Sequence, residues 1–320
     1  MDYSPILMTR LRRCFLRPPR TFAASIASLT GLRSFQWRSA SNKAIIEREK
    51  LKKKCLNDPS LRVRIVPMLL DNYGYVVVDE TNQTMFTVDP AECSTILPVL
   101  KEEETTRKRQ FLGVLTTHKH TDHAGGNEEI ARNYPGILIA GPKDEPIPAR
   151  NYSVSGGEKF MLGAATVKVL NVSCHTKAHV AYVVTGDSEM PPLLFPGDTL
   201  FVGGCGRFFE GSAEDMYRAL YEVILTLPKD TKVYCGHEYT MTNLRFALSV
   251  DPSNQALRDK IAAVRIRRAK NLPTVPSSLR EEMLYNPFLR VHNETIRNAV
   301  GGTDPVSVLE NLRRRKDSFE

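Results

Sequence analysis

Polar and apolar residues change their spacing twice along the chain, and those changes divide it. From Leu61 the order Arg62, Val63, Arg64, Ile65, Val66 alternates with the period of two that marks a half-buried strand. A turn at Asp71 and Asn72 leads to a second apolar run from Tyr75 to Asp79, and Met85 to Asp89 reads as a third strand. Further strands are predicted at 111–116, 137–140, 158–162, 166–172, 180–185, 193–196 and 231–235, with helices at 93–102, 127–133 and 213–226. Beyond His237 the spacing is helical, at 240–250, 254–270 and 278–284, with no strand signal between. The pattern predicts an α/β chain in three parts: an opening segment over 1–45 followed by a charged linker, a strand-rich domain over 61–236, and a smaller helical domain over 237–320.

Composition narrows the class. With 320 residues, 42% of them hydrophobic and 25% charged, the chain can bury a sizeable core. No stretch approaches the roughly 18 uninterrupted apolar residues of a membrane span, which excludes integral membrane association. Six cysteines without paired spacing argue against a disulfide scaffold or a zinc ribbon, and point to a reducing compartment. The net charge of +8 suggests nucleic-acid binding until its position is considered. Residues 1–45 hold Arg10, Arg12, Arg13, Arg17, Arg20, Arg33, Arg38 and Lys43 against Asp2 alone, so the rest of the chain is nearly neutral and lacks the basic face that phosphate binding needs. An Arg-rich, Ser-containing, acid-poor opening has the composition of a transit peptide, and the mitochondrial matrix is the expected location.

The densest chemical signal is Thr117-His118-Lys119-His120-Thr121-Asp122-His123, directly after the apolar run 111–115. Three histidines and an aspartate in six residues are too many for core packing, since each buried imidazole needs partners for two ring nitrogens. Imidazole and carboxylate suit zinc or iron. In an extended segment His118 and His120 point to one side, while Asp122 and His123 sit where the next helix begins and can be aimed at a second centre. Asn127 is the expected N-cap of that helix, with Glu128 and Glu129 in its first turn. Other histidines stand beside small residues: Cys174-His175-Thr176, with His179 four on, and Cys235-Gly236-His237. Between them, Gly197-Asp198-Thr199 follows an apolar strand and suits a bridging carboxylate. His179 reads equally as a residue behind the ligands or as packing.

The order His118-x-His120-x-Asp122-His123, His175, Asp198, His237 resembles the metallo-β-lactamase superfamily of two-metal hydrolases. Within it the chain resembles the glyoxalase II (hydroxyacylglutathione hydrolase) family, on Asp71-Asn72-Tyr73, Val88-Asp89-Pro90, Gly125-Gly126-Asn127, Gly204-Cys205-Gly206-Arg207, Gly236-His237-Glu238-Tyr239, Thr274-Val275-Pro276-Ser277 and Asn286-Pro287-Phe288. The resemblance implies an αββα sandwich followed by a helical substrate-binding domain, and a monomer. It implies two divalent metal ions, zinc first, with iron or manganese as alternatives: His118, His120 and His175 for one, Asp122, His123 and His237 for the other, Asp198 bridging both. It implies hydrolysis of S-D-lactoylglutathione to D-lactate and glutathione, with Asp122 orienting the attacking water and Arg207, Tyr239, Arg313 and Lys316 holding glutathione. The family often has His at Lys119, Trp at Thr121, Lys at Arg207 and Tyr at Phe209. Lys119 and Arg207 also resemble a neighbouring branch, the paroxysmal nonkinesigenic dyskinesia protein-like hydrolases. The competing readings are a mitochondrial metallo-hydrolase with another substrate, an iron persulfide dioxygenase, which needs one metal and lacks the helical tail, and a non-catalytic binding protein.

Overall fold

Strands that are apolar on both faces need cover on both sides, and the topology supplies it. The computed structural model describes residues 61–186 and 189–319; the expected import segment over 1–45 lies outside them. One sheet runs β1 (Leu61–Met68), β2 (Asn72–Asp79), β3 (Thr84–Val88), β4 (Gln110–Leu115), β5 (Leu138–Pro142) and β6 (Tyr152–Val154), antiparallel from β1 to β3 and parallel from β3 to β6. The second holds β7 (Lys159–Leu162), β8 (Ala165–Asn171), β9 (Val180–Thr185), β10 (Leu193–Phe195), β13 (Lys232–Val233) and β14 (Ser277–Ser278).

The period of two in β2 explains the layering. Tyr75 and Val77 face inward and pack with Val167, Val169, Tyr182 and Phe195 of the second sheet. Val76 and Val78 face outward, against Ile96 and Leu100 of α1 (Cys93–Arg107) and Ile130 of α3 (Asn127–Asn133). The outer face of the second sheet, through Ala181, Val183 and Leu194, packs on Met216 and Leu220 and on Phe246, Phe288 and Leu309 of the C-terminal helices. The result is an αββα sandwich with a helical region at its C-terminal end.

Three details differ from the sequence reading. The segment read as all-helical beyond His237 supplies β14, which pairs antiparallel with β13. Two residues carry no period, so no strand signal exists there. The helix expected at 213–226 is α-helical only over α4 (Ala213–Tyr217), continues as a π-helix over Arg218–Val223 and ends in a 3₁₀ turn, Ile224–Thr226. Asn127 is not an N-cap: α3 begins at Asn127 itself, after Gly126, and the buried Asn127 amide donates to Thr116 Oγ1 (3.0 Å) and Pro148 O (3.3 Å). The amide NH₂ is spent on those two acceptors, and its buried Oδ1 has no partner among the described residues, so the side chain does not cap its own helix.

Candidate metal centre and adjoining cleft

The strand β4 ends at Leu115 and the short helix α2 (Thr121–Ala124) starts six residues on, so the histidine cluster is held between two fixed elements. His118 Nε2 and His175 Nε2 lie 3.0 and 3.1 Å from His120 Nδ1. One atom each from His118, His120 and His175 gathers within 4.8 Å, and so do atoms of Asp122, His123 and His237. Asp198 stands between the groups: its Oδ1 is 3.3 Å from His123 Nε2, and its Oδ2 is 3.5 Å from His175 Nε2 and 3.3 Å from His237 Nε2. All seven residues singled out in the sequence converge on one place.

Hydrogen bonds behind the cluster set which nitrogen faces inward. His175 Nδ1 donates to Arg207 O (3.0 Å), His237 Nδ1 to Asp71 Oδ1 (2.8 Å) and His123 Nδ1 to Asp89 Oδ2 (3.0 Å). Thr117 Oγ1 spends its proton on Asp89 Oδ2 (2.8 Å) and can accept only from His118 Nδ1 (3.0 Å). Each of these imidazoles therefore aims the Nε2 lone pair at the centre. Burial pushes the His118 pKa well below 6.5, which keeps it neutral.

The donor set demands a cation. His123 Nε2 and Asp198 Oδ1 are buried, face each other at 3.3 Å, and have no hydrogen-bond partner among the described residues. Two buried acceptors in that position are costly unless positive charge lies between them. The same demand appears in His237: burial pulls its pKa down, yet the carboxylates of Asp122 and Asp198 outweigh it and draw it up to about 10. These residues fit a pair of metal ions, and Gly236 keeps the space open. A Cβ there would strike Asp198 Oδ1 and come within 2.6 Å of His123 Cε1.

The cluster forms the floor of a cleft of about 690 Å³ whose walls include Arg207, Tyr239, Arg313 and Lys316. Tyr239 stacks flat on His237, centroids 4.5 Å apart, and burial raises its pKa, so the phenol remains a donor. Arg313 is buried; it donates to Cys205 O (3.0 Å) and to Asp317 Oδ1 (2.8 Å). Arg207, largely exposed, approaches the same Asp317 oxygen at 3.4 Å. The Lys316 ammonium lies over the rings of Phe246 and Phe319.

Of the positions that depart from the family pattern, Phe209 is exposed and its ring lies 5.0 Å from that of His175 and 6.1 Å from that of His120. Lys119 reaches away to Glu210, 2.6 Å. His179 is fully buried against His118, ring centroids 4.4 Å apart, with neither nitrogen bonded among the described residues. The residues that orient the cluster, Asp71, Asn72 and Asp89, were visible in the sequence as a turn, a strand end and landmarks of a resemblance, with no sign of that role; Glu145, described below, had no signal at all.

Comparison with known proteins agrees with this geometry. The model of the metallo-beta-lactamase superfamily matches residues 104–237, and that of the hydroxyacylglutathione hydrolase C-terminus matches residues 238–319. The chain is 46% identical over 261 residues to a hydroxyacylglutathione hydrolase-like protein of Gallus gallus, covering 81% of this chain and 91% of that one. It is 42% identical to the cytoplasmic hydroxyacylglutathione hydrolase of Arabidopsis thaliana over 260 residues, 81% of this chain and 99% of the relative. Among solved structures, ETHE1 from Myxococcus xanthus shares the fold with a TM-score of 0.54 at 22% identity, covering 81% of this chain and all of that one.

Proposed function

Because the chain belongs to the hydroxyacylglutathione hydrolase family of the metallo-β-lactamase superfamily, we propose that it hydrolyses S-(2-hydroxyacyl)glutathione thioesters, releasing glutathione and a 2-hydroxy acid such as D-lactate. The observation that carries the reading is that one cleft holds both the ligand cluster and the cationic and phenolic side chains of the C-terminal helical region. The cofactor would be a pair of divalent ions, zinc in the first instance, which His118, His120 and His175 would hold on one side and Asp122, His123 and His237 on the other, with Asp198 between the two groups. When bound, such ions supply a water whose pKa falls to about 7 and positive charge for the carbonyl oxygen of the tetrahedral intermediate.

The chain's own groups do the rest. Asp122 orients the attacking water: Asn72 Nδ2 donates to its Oδ2 (3.0 Å) and His237 approaches that same oxygen, leaving Oδ1 for the task. Arg207, Tyr239, Arg313 and Lys316 bind the glutathione moiety and set the carbonyl over the cluster. Water gives up a proton to solvent and adds to the acyl carbon as hydroxide, the C–S bond breaks, and the sulfur leaves as the thiolate of a thiol with a pKa of roughly 8.5 to 9, so no strong general acid is required. Phe209, with its ring beside His120 and His175, gives the acyl side of the cleft an apolar wall. The enzyme acts as a monomer, in the mitochondrial matrix, led there by residues 1–45; fluorescent fusions with and without that segment test the location.

The direct test is purified protein with S-D-lactoylglutathione alongside metal analysis. Thioester cleavage with close to two ions per chain is expected. No cleavage would sink the substrate assignment, and no cleavage together with a single tightly held iron would favour the dioxygenase reading.

A further inference from the structure

The group His118, His120 and His175 comes from two loops that are more than fifty residues apart in sequence, and something must hold those loops in register. Glu145, in the loop between β5 and β6, does so from inside. Its side chain is buried, at 4% exposure. Its Oε2 accepts the Lys119 N–H at 2.7 Å, between His118 and His120, and its Oε1 accepts the Ala178 N–H at 3.1 Å, in the turn that carries His175. The anchor is itself fixed, since Arg150 Nη1 donates to Glu145 O (2.7 Å) and to Pro142 O, and the Ile147 N–H donates to Glu145 O (2.9 Å). A second carboxylate spans the same two loops from the solvent side: Glu210 receives the Lys119 ammonium at 2.6 Å and the Lys177 N–H at 2.9 Å, with its side chain about a third exposed.

We infer that Glu145 is a positioning residue of the first metal site, setting the separation of His118 and His120 from His175. The choice of side chain follows from the geometry. A carboxylate offers two acceptors and no donor, so it can satisfy two N–H groups that belong to different loops. A glutamine has one acceptor and one donor, and whichever way it turns, its NH₂ faces one of those N–H groups. Burying a carboxylate is expensive unless its hydrogen bonds are met, and here both oxygens are met by main-chain groups that move with the ligands. Outer partners of this kind act on metal affinity through the ligand they hold.

The inference rests on the two-ion reading, and its test does not depend on the substrate. The full chain and its Glu145→Gln and Glu145→Ala variants are stripped of metal and titrated with zinc(II) alone against a competing chelator. In wild type two ions should bind. In Glu145→Gln one binding step should weaken by roughly 10- to 100-fold and the other remain as in wild type. The melting temperature of the metal-free protein should fall by only a few degrees, the cost of one unmet N–H, and on S-D-lactoylglutathione kcat should fall with KM unchanged. Glu145→Ala, which removes both acceptors, should show the larger loss; if it fails to fold, Glu145→Gln alone carries the test. Two wild-type affinities in Glu145→Gln would overturn the inference. So would equal weakening of both steps together with a larger fall in melting temperature, the mark of a purely structural staple. A wild-type chain that takes up no pair of ions would overturn the two-ion reading itself, whereas a wild type that binds two ions without cleaving the thioester would overturn only the substrate.

Discussion

Lys316 is the residue whose chemistry depends most on what fills the cleft. Its ammonium has one distant acceptor, Thr242 O at 3.5 Å, and two aromatic faces. Burial first, and the neighbouring Arg313 guanidinium next, pull its pKa from 10.5 down to about 8. The folded value is lowered, so the charged form costs stability below about pH 8, and that cost is relieved as pH rises from 8 towards 10.5. Binding an anionic substrate runs in the opposite direction, because a carboxylate needs the charged form. The other groups facing Lys316 are Arg313, Arg207, Asp317 and the Cys205 thiol, and burial raises that thiol to about 12, so it stays uncharged between pH 7 and 9. KM for the glutathione thioester should therefore climb above about pH 8. Lys316→Ala should raise KM by roughly tenfold at pH 7, abolish that climb and leave kcat nearly unchanged, the pattern of lost uniform binding. Lys316→Arg should keep KM low to pH 9. Steady-state kinetics across pH decide the matter, and a wild-type KM that is flat from pH 7 to 9.5 would refute it. Arg313 will behave differently from Lys316, because its guanidinium also ties Cys205 O and Asp317 into the fold.

At the scale of elements, the hairpin β11 (Leu200–Phe201) to β12 (Gly204–Cys205) links Asp198 to Arg207, and it is gripped by the helix Leu279–Tyr285 and the residue after it. Asn286 Nδ2 donates to Phe201 O (3.2 Å), Gly204 O (3.0 Å) and Glu282 Oε2 (3.0 Å), while Glu282 Oε2 accepts the Gly203 N–H at 2.8 Å. Asn286→Ala leaves two buried carbonyls short of a donor and should cost about 2 kcal/mol, or roughly 4–8 °C in a thermal melt. KM should rise with it through the displaced Arg207, and an unchanged melt would show that the hairpin holds itself. The same hairpin shows where sequence reading stops. Long strands were legible in two ways: β8 alternates buried and half-buried residues along most of its seven positions, and β2 is an apolar run buried at all eight. The strands β6, β11, β12 and β14 span two or three residues, too few for any period, and exist because neighbouring backbone pairs with them. The candidate metal site was legible because four of its seven residues, His118, His120, Asp122 and His123, crowd into a stretch of six. Glu145, 25 residues on from His120, was not, since accepting two main-chain protons leaves no pattern in spacing.

For the molecule as a whole, the helical region beyond His237 shares the cores of the sandwich. Leu244, Val264 and Tyr285 pack into the cluster between the sheets, and Phe246, Phe288 and Leu309 into the cluster on the outer face of the second sheet. β14 also completes the edge of that sheet, Val233 pairing with Ser277 and Lys232 with Ser278. Each of those large side chains contributes roughly 1.5–3 kcal/mol by burial, and half a dozen together match or exceed the about 5–15 kcal/mol by which domains are stable. A chain ending at His237 would therefore expose an apolar face and an unpaired strand edge at once. It should aggregate or unfold without a cooperative transition, whereas the chain from Asn57 to Glu320, which forms one compact unit, should melt in a single step. Circular dichroism melts and limited proteolysis of the two chains provide the comparison. A soluble fragment 57–237 with a cooperative melt and intact metal uptake would show that the sandwich stands without the helices, and that the helices serve the substrate alone.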